Sequence, residues 1–197
     1  MTDALDRYRG ELKNLRIKFK TNPRYWYSCH RGRSITAFES DRIITAEISF
    51  GCNMTLDTEK VYHNTTVYSL VPPTSLLEDH LYWLGLLNSR LMWWFLKNTG
   101  NVLRGGYFRF KLNYLNPFPI RTLDFSDPED VARHDQMVGL VERMLGLHER
   151  LAGARIERER TVIGAQIEAT DRQIDRLVYD LYGLTEGEIA VVEGESR

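Results

Sequence analysis

An α+β protein is spelled out by this chain: a small mixed or antiparallel sheet with a buried helix, followed by an arm of long helices in a hairpin or coiled-coil-like arrangement. Three observations lead there. Residues 25–71 alternate short β-branched and aromatic runs with Gly, Asn and Asp, the pattern of strands and turns. Residues 81–96 are apolar on nearly every face, which suits a helix enclosed on all sides. Beyond residue 128 no proline follows, and apolar residues recur at spacings of three, four and seven, the period of helices packed lengthwise.

The first element is an amphipathic helix over residues 3–20, with Leu5, Tyr8, Leu12, Leu15 and Phe19 on one stripe. Arg7, Arg9, Lys13, Arg16 and Lys20 lie largely off that stripe, and Asn22-Pro23 ends it. Strands follow, among them Arg42-Ile-Ile-Thr-Ala-Glu-Ile-Ser49 and Thr65-Thr-Val-Tyr-Ser-Leu-Val71, until Pro72-Pro73 breaks the chain. Ser75 with Glu78 three residues on has the form of a capping box, which predicts one helix from there to about Lys97. After Ile120, Asp127-Pro128-Glu129-Asp130 supplies an N-cap, a proline at the first helical position and acids against the helix dipole. Met137, Val141, Met144 and Leu151 open a seam that Ile163, Ile167, Thr170, Ile174, Leu177 and Leu181 continue. Between the two, Gly153 and the charged run 155–160 fit either the turn of a helical hairpin or a solvated stretch of one long helix. Gly183 closes the second helix, and Thr185 with Glu188 caps a short terminal one.

A chain of 197 residues with 43% apolar content buries a real core in one or two domains. Cys29 and Cys52 form no Cys-x-x-Cys pair, so neither a disulfide framework nor a zinc ribbon is indicated. The N-terminus lacks an apolar signal core, and an intracellular, cytoplasmic protein is expected. Residues 81–96 are too few for a membrane span, which needs roughly 20 apolar residues, and Asn88-Ser-Arg90 interrupts them. Charge is divided unevenly. Up to Thr122 there are 17 Lys and Arg against 10 Asp and Glu, a balance of +7; beyond it 9 stand against 17, a balance of −8. A basic, aromatic-rich half beside an acidic helical half is the electrostatic footprint of a nucleic-acid reader joined to something else.

Within the basic half, Arg104-Gly-Gly-Tyr-Phe-Arg-Phe-Lys111 combines glycines that admit a phosphate with alternating cations and rings. Arg104, Arg109 and Lys111, with Tyr107, are the expected central DNA contacts; the bland alternative is a solvated strand after a turn. A second basic cluster, Lys18, Lys20, Arg24, Arg31 and Arg33, surrounds Tyr25-Trp-Tyr27 and His30, and Lys20, Arg24, Arg31 and Arg33 are its expected DNA contacts. Arginine fits the O6 and N7 edge of guanine, and Asn53, Asn64 and Asn113 are candidates for adenine. Catalytic and metal-ligating constellations are weak. His30, His63, His80, His134 and His148 show no four-residue helical spacing or metal box, so no metal ligands and no catalytic residues are assigned. Glu11-Leu-Lys13 resembles a minimal nuclease element but sits on the wet face of the first helix, and Asn116-Pro-Phe-Pro119 is in the wrong order for an adenine methyltransferase.

Taken in succession, Tyr25-Trp-Tyr27 with Arg31 and Arg33, Asp41-Arg-Ile-Ile-Thr-Ala-Glu-Ile48, Leu84-Gly-Leu-Leu-Asn-Ser-Arg90, Leu103-Arg-Gly-Gly-Tyr-Phe108, Tyr114-Leu-Asn-Pro-Phe-Pro-Ile120 and the tail 174–185 resemble a known family. It is the TaqI-like C-terminal specificity domain of type IIG restriction-modification enzymes, whose target recognition domain is similar to those of type I specificity subunits. The resemblance implies a module that docks on double-stranded DNA, reads a short asymmetric site and delivers an adenine to a methyltransferase domain that flips it out. It implies methyltransferase and nuclease domains as partners, in cis or as a subunit, with S-adenosylmethionine and Mg2+ bound there and no cofactor in this chain. Residues 1–122 would then be the DNA target recognition domain, and 123–197 a helical arm packing on it and on the catalytic partner. The chain would be an excised piece or a separate specificity subunit. The alternative is a helical interaction scaffold that homodimerises through the 163–181 seam without binding DNA.

Overall fold

The computed structural model describes residues 8–19, 35–73 and 75–194. The chain divides into two compact units, Met1–Glu39 and Ser40–Arg197. In the first, helix α1 (Arg9–Phe19) falls within the stretch predicted helical, and α2 (Ile35–Glu39) follows. Leu15, placed on the apolar stripe, is exposed. Residues 3–7 and 20–34, including Asn22-Pro23, lie outside the described residues.

The second unit opens with β1 (Arg42–Ala46), β2 (Ile48–Ser49), β3 (Thr55–Asp57) and β4 (Val67–Leu70). The run read as a single strand over residues 42–49 is therefore two, and the reason is the residue between them. The Glu47 N–H donates to the Thr66 carbonyl at 2.7 Å, while its carbonyl accepts from Phe110 N–H at 2.8 Å. One backbone unit serves two sheets facing different ways. β1 is the centre of an antiparallel sheet ordered β3-β1-β4, with Ile43 opposite both Leu56 and Leu70. At the start of this central strand Arg42 is fully buried, and its guanidinium donates to the Asp57 carboxylate and, at 2.6 Å, to the Val61 carbonyl. Pairing and hydrogen bonding together offset the desolvation of both charges.

The single helix expected from Ser75 to Lys97 is two helices, α3 (His80–Asn88) and α4 (Arg90–Thr99). The Ser75–Glu78 box does not start α3; Asp79 caps it, accepting from Leu81 N–H. Glu78 is buried and accepts from Leu123 N–H at 2.9 Å, so tertiary structure has claimed the carboxylate that a capping box needs. The break lies at Ser89, in extended geometry, whose Oγ accepts from Met92 N–H and donates to the Leu86 carbonyl at 2.7 Å. A hydroxyl bonding the local backbone in this way replaces one turn of helix. The Asp175 carboxylate takes the Arg90 N–H at 2.8 Å and holds the new helix start from outside.

A short strand β5 (Phe108–Arg109) pairs antiparallel with β2, and α5 (Leu112–Leu115) leads to residues 116–127. The arm is a hairpin: α6 (Pro128–Gly153) and α7 (Glu157–Tyr182) pack along one another and are joined by residues 154–156. Met137, Val141, Ile163, Thr170, Ile174, Leu177 and Leu181 are buried, as their spacing requires. Gly183 (φ 65°) ends α7 in the left-handed conformation, and the Thr185–Glu188 capping box starts α8 (Glu186–Glu193). α3 is the spine, lying between β1 and β3 on one side and α6 on the other. Gly85 sets that distance, because a Cβ there would stand 2.4 Å from the Met137 sulfur and 3.1 Å from Val141.

Candidate nucleic-acid interface

Residues 102–111 form a projecting turn whose geometry follows from two glycines. Gly105 and Gly106 take φ of 86° and 81°, a conformation open to residues without a side chain, and Leu103 N–H donates to the Tyr107 carbonyl at 2.7 Å across them. Beyond the turn the strand alternates. Phe108 and Phe110 point into the core, and Phe108 meets the Trp93 ring edge-on at 4.9 Å. Tyr107, Arg109 and Lys111 share the opposite, wetter face, and Arg104 is exposed at the turn. The structure thus brings Arg104, Tyr107, Arg109 and Lys111 onto one segment. Lys20, Arg24, Arg31 and Arg33, with Tyr25-Trp-Tyr27 and His30, lie outside the described residues.

Two neighbours of this segment were not singled out from the sequence. Register places Ile48 opposite Arg109 and Ser49 opposite Phe108, so Phe50 reaches Tyr107 on the outward face, ring to ring at 5.9 Å and 72°. Glu47 lies 3.6 Å from the Arg109 Nε, an ion pair too long for a hydrogen bond. The signal available for Phe50 was its place two residues beyond Ile48, on the same side of an alternating strand.

Hydrogen bonds fix the stretches that lie to either side of this segment in the fold. Asn88 at the end of α3 clamps the loop after β2, accepting from Met54 N–H at 2.8 Å and donating to the Met54 carbonyl at 3.0 Å. The Tyr182 hydroxyl donates to the Pro119 carbonyl at 2.6 Å and accepts from Arg121 N–H, while Tyr82 donates to the Arg121 carbonyl at 2.8 Å. Asp130, buried, gathers Arg121, Arg133 and the Asp124 N–H, and hydrogen bonding to Asp124 with these cations holds its carboxyl below the usual range.

Other chemistry-bearing groups gather elsewhere without a catalytic arrangement. A cavity of about 380 Å³ between α3, the helical hairpin and residues 52–54 is lined by Cys52, Asn88, His148 and Asp171. Burial pushes the Cys52 thiol up to about 12, which leaves it protonated at neutral pH and a poor nucleophile. His134 is structural, accepting from Asp79 N–H at 3.0 Å between the Tyr82 and Phe125 rings. Glu11 and Lys13 are exposed on α1. Among the described residues no three His, Cys, Asp or Glu side chains gather to hold a metal ion, and no helix is long and apolar enough to cross a membrane.

Residues 6–120 match the TaqI-like C-terminal specificity domain. The type II restriction enzyme and methyltransferase RM.Eco57I of Escherichia coli is 24% identical over an alignment of 180 residues that covers 88% of this chain. The chain spans 18% of the length of that relative.

Proposed function

Because the chain belongs to the TaqI-like C-terminal specificity domain family, we propose that it recognises a short asymmetric site on duplex DNA for adenine-methyltransferase and nuclease domains carried elsewhere, in cis or as a subunit. S-adenosylmethionine and Mg2+ belong to those domains, and the complex works in the cytoplasm. One observation carries the reading: exposed Arg104 and Tyr107 at the turn, half-buried Arg109 on β5 and half-buried Lys111 at the start of α5 follow one another along one segment, away from buried Phe108 and Phe110. A two-stranded ribbon fits the major groove, and cations along it bind phosphates. Residues 1–122 carry the reading surface in this proposal, with Arg24, Arg31, Arg33 and Lys20 as its second set of contacts, and residues 123–197 connect it to the catalytic partner.

The competing scaffold reading needs the 163–181 seam to be available for a second copy. Its residues Ile163, Thr170, Ile174, Leu177 and Leu181 are instead buried within the chain. Fluorescence anisotropy on a 30-base-pair duplex tests the choice. Arg104→Ala should weaken binding and lower the log-log salt slope by about 1, with unchanged circular dichroism. If Arg104→Ala and Arg109→Ala combined leave low-salt affinity unaltered, this surface is not the interface.

A further inference from the structure

The ribbon's outward face ends in two aromatic rings that the cations do not account for. Phe50 is 66% exposed and Tyr107 47%. Rings kept in water are unfavourable unless something covers them. They are also held in place. A Cβ at Gly106 would stand 3.2 Å from the Phe50 ring, so the glycine that makes the turn also makes room for Phe50. Tyr107 supports that ring from the side at 5.9 Å, and the next residue, Phe108, anchors the strand in the core.

We infer that Phe50 and Tyr107 form a wedge that inserts at a base step of the duplex, Phe50 leading and Tyr107 bracing it. This rests on the DNA-recognition reading above. Charge complementarity identifies the occupant: exposed Arg104 stands at the turn beside the rings, and half-buried Arg109, next to Glu47, and Lys111, at the start of α5, follow along the same segment, cations suited to the phosphates that flank an opened step. By contrast, the apolar cavity beside Trp83 is lined by Leu70, Leu87, Leu115 and Phe118 with no cation. Apolar wedges unstack a step and kink the duplex, and a ring stacks on any base because each base has a π-face. The wedge supplies affinity and deformation, and leaves sequence readout to hydrogen-bonding side chains.

The test uses the full chain and duplexes enriched by it from a library with a randomised centre, with 2-aminopurine placed at each adenine in turn. Wild type should brighten the probe at one step. Phe50→Ala should abolish that rise and reduce affinity roughly tenfold, while Phe50→Trp, which restores a ring, recovers both. The salt slope should be the same for all three, since no phosphate contact changes. If Phe50→Ala binds and brightens as wild type does, the wedge is refuted and DNA recognition stands. If the rings instead face the catalytic partner, the variant binds DNA normally and loses association with that partner, which also refutes the wedge. Absence of any salt-sensitive binding by wild type would overturn the underlying reading, and the wedge with it.

Discussion

At the scale of single residues, Asn88 shows how a polar side chain can stand in for a strand. It satisfies both backbone groups of Met54, so Asn88→Ala leaves a donor and an acceptor in a half-buried place and should cost about 1–3 kcal/mol in urea unfolding. Gly85 works by omission. Gly85→Ala should destabilise by about 1–3 kcal/mol through overpacking, outweighing the gain of about 1 kcal/mol in helix propensity. Combined with Met137→Ala it should lose less than the two changes separately, because the second makes the space that the first lacks. Glu47 competes with phosphate for Arg109, so Glu47→Gln should raise duplex affinity roughly two- to fivefold in anisotropy titrations. Asp175 gives the fold a pH dependence. Burial outweighs the help of Arg90 and raises its pKa from 3.8 to about 6. The folded state therefore holds the proton more tightly than the unfolded one, and stability should fall as pH rises from about 4 to about 6. Asp175→Asn, which keeps an acceptor for Arg90 N–H, should flatten thermal melts across that window.

Among the elements, those whose order depends on local chemistry were readable, and those decided by distant contacts were not. The caps at Asp127 and Thr185, the left-handed stop at Gly183 and the buried seam of α6 and α7 all act within a turn or two of their own residues. Whether residues 153–160 turned or continued depended on whether α7 could pack back on α6, a long-range energy that spacing does not express. The split at Ser89 was hidden for the same reason. A serine among Leu, Trp and Met is tolerated inside a helix, and its local cap is joined at the break by Asp175, which is distant in sequence. Ser89→Ala removes the Met92 cap and should cost about 0.5–2 kcal/mol in denaturant unfolding. Along residues 104–111, alternation sets Arg109 and Lys111 apart from buried Phe108 and Phe110, and the structure adds Tyr107, which is exposed, to their side. Phe50 and Glu47 come from another strand, and pairing register is what a lone sequence leaves open.

Over the molecule as a whole, the division of charge marks the two halves but overstates the cations available to a ligand. Arg42, Arg90 and Arg121 are paired with the buried Asp57, Asp175 and Asp130, so part of the positive excess is used in holding the unit together. If about six phosphates are still neutralised, duplex affinity should fall about a thousandfold between 50 and 200 mM salt, measurable in one titration series. A much flatter response would mean a smaller footprint.

The grip of Tyr82 and Tyr182 on residues 119–122 bears on engineering. Recombining recognition modules with a crossover at residue 122 would sever the Tyr182 bonds to Pro119 and Arg121, the Asp130 pair with Arg121, and the Glu78 bond to Leu123. Chimeras joined there should lose stability in thermal melts unless Tyr182, Asp130 and Glu78 travel with the stretches they bond. A splice ahead of both units, carrying them as a single cassette, spares this knot and keeps Lys20, Arg24, Arg31 and Arg33 with the transplanted reader.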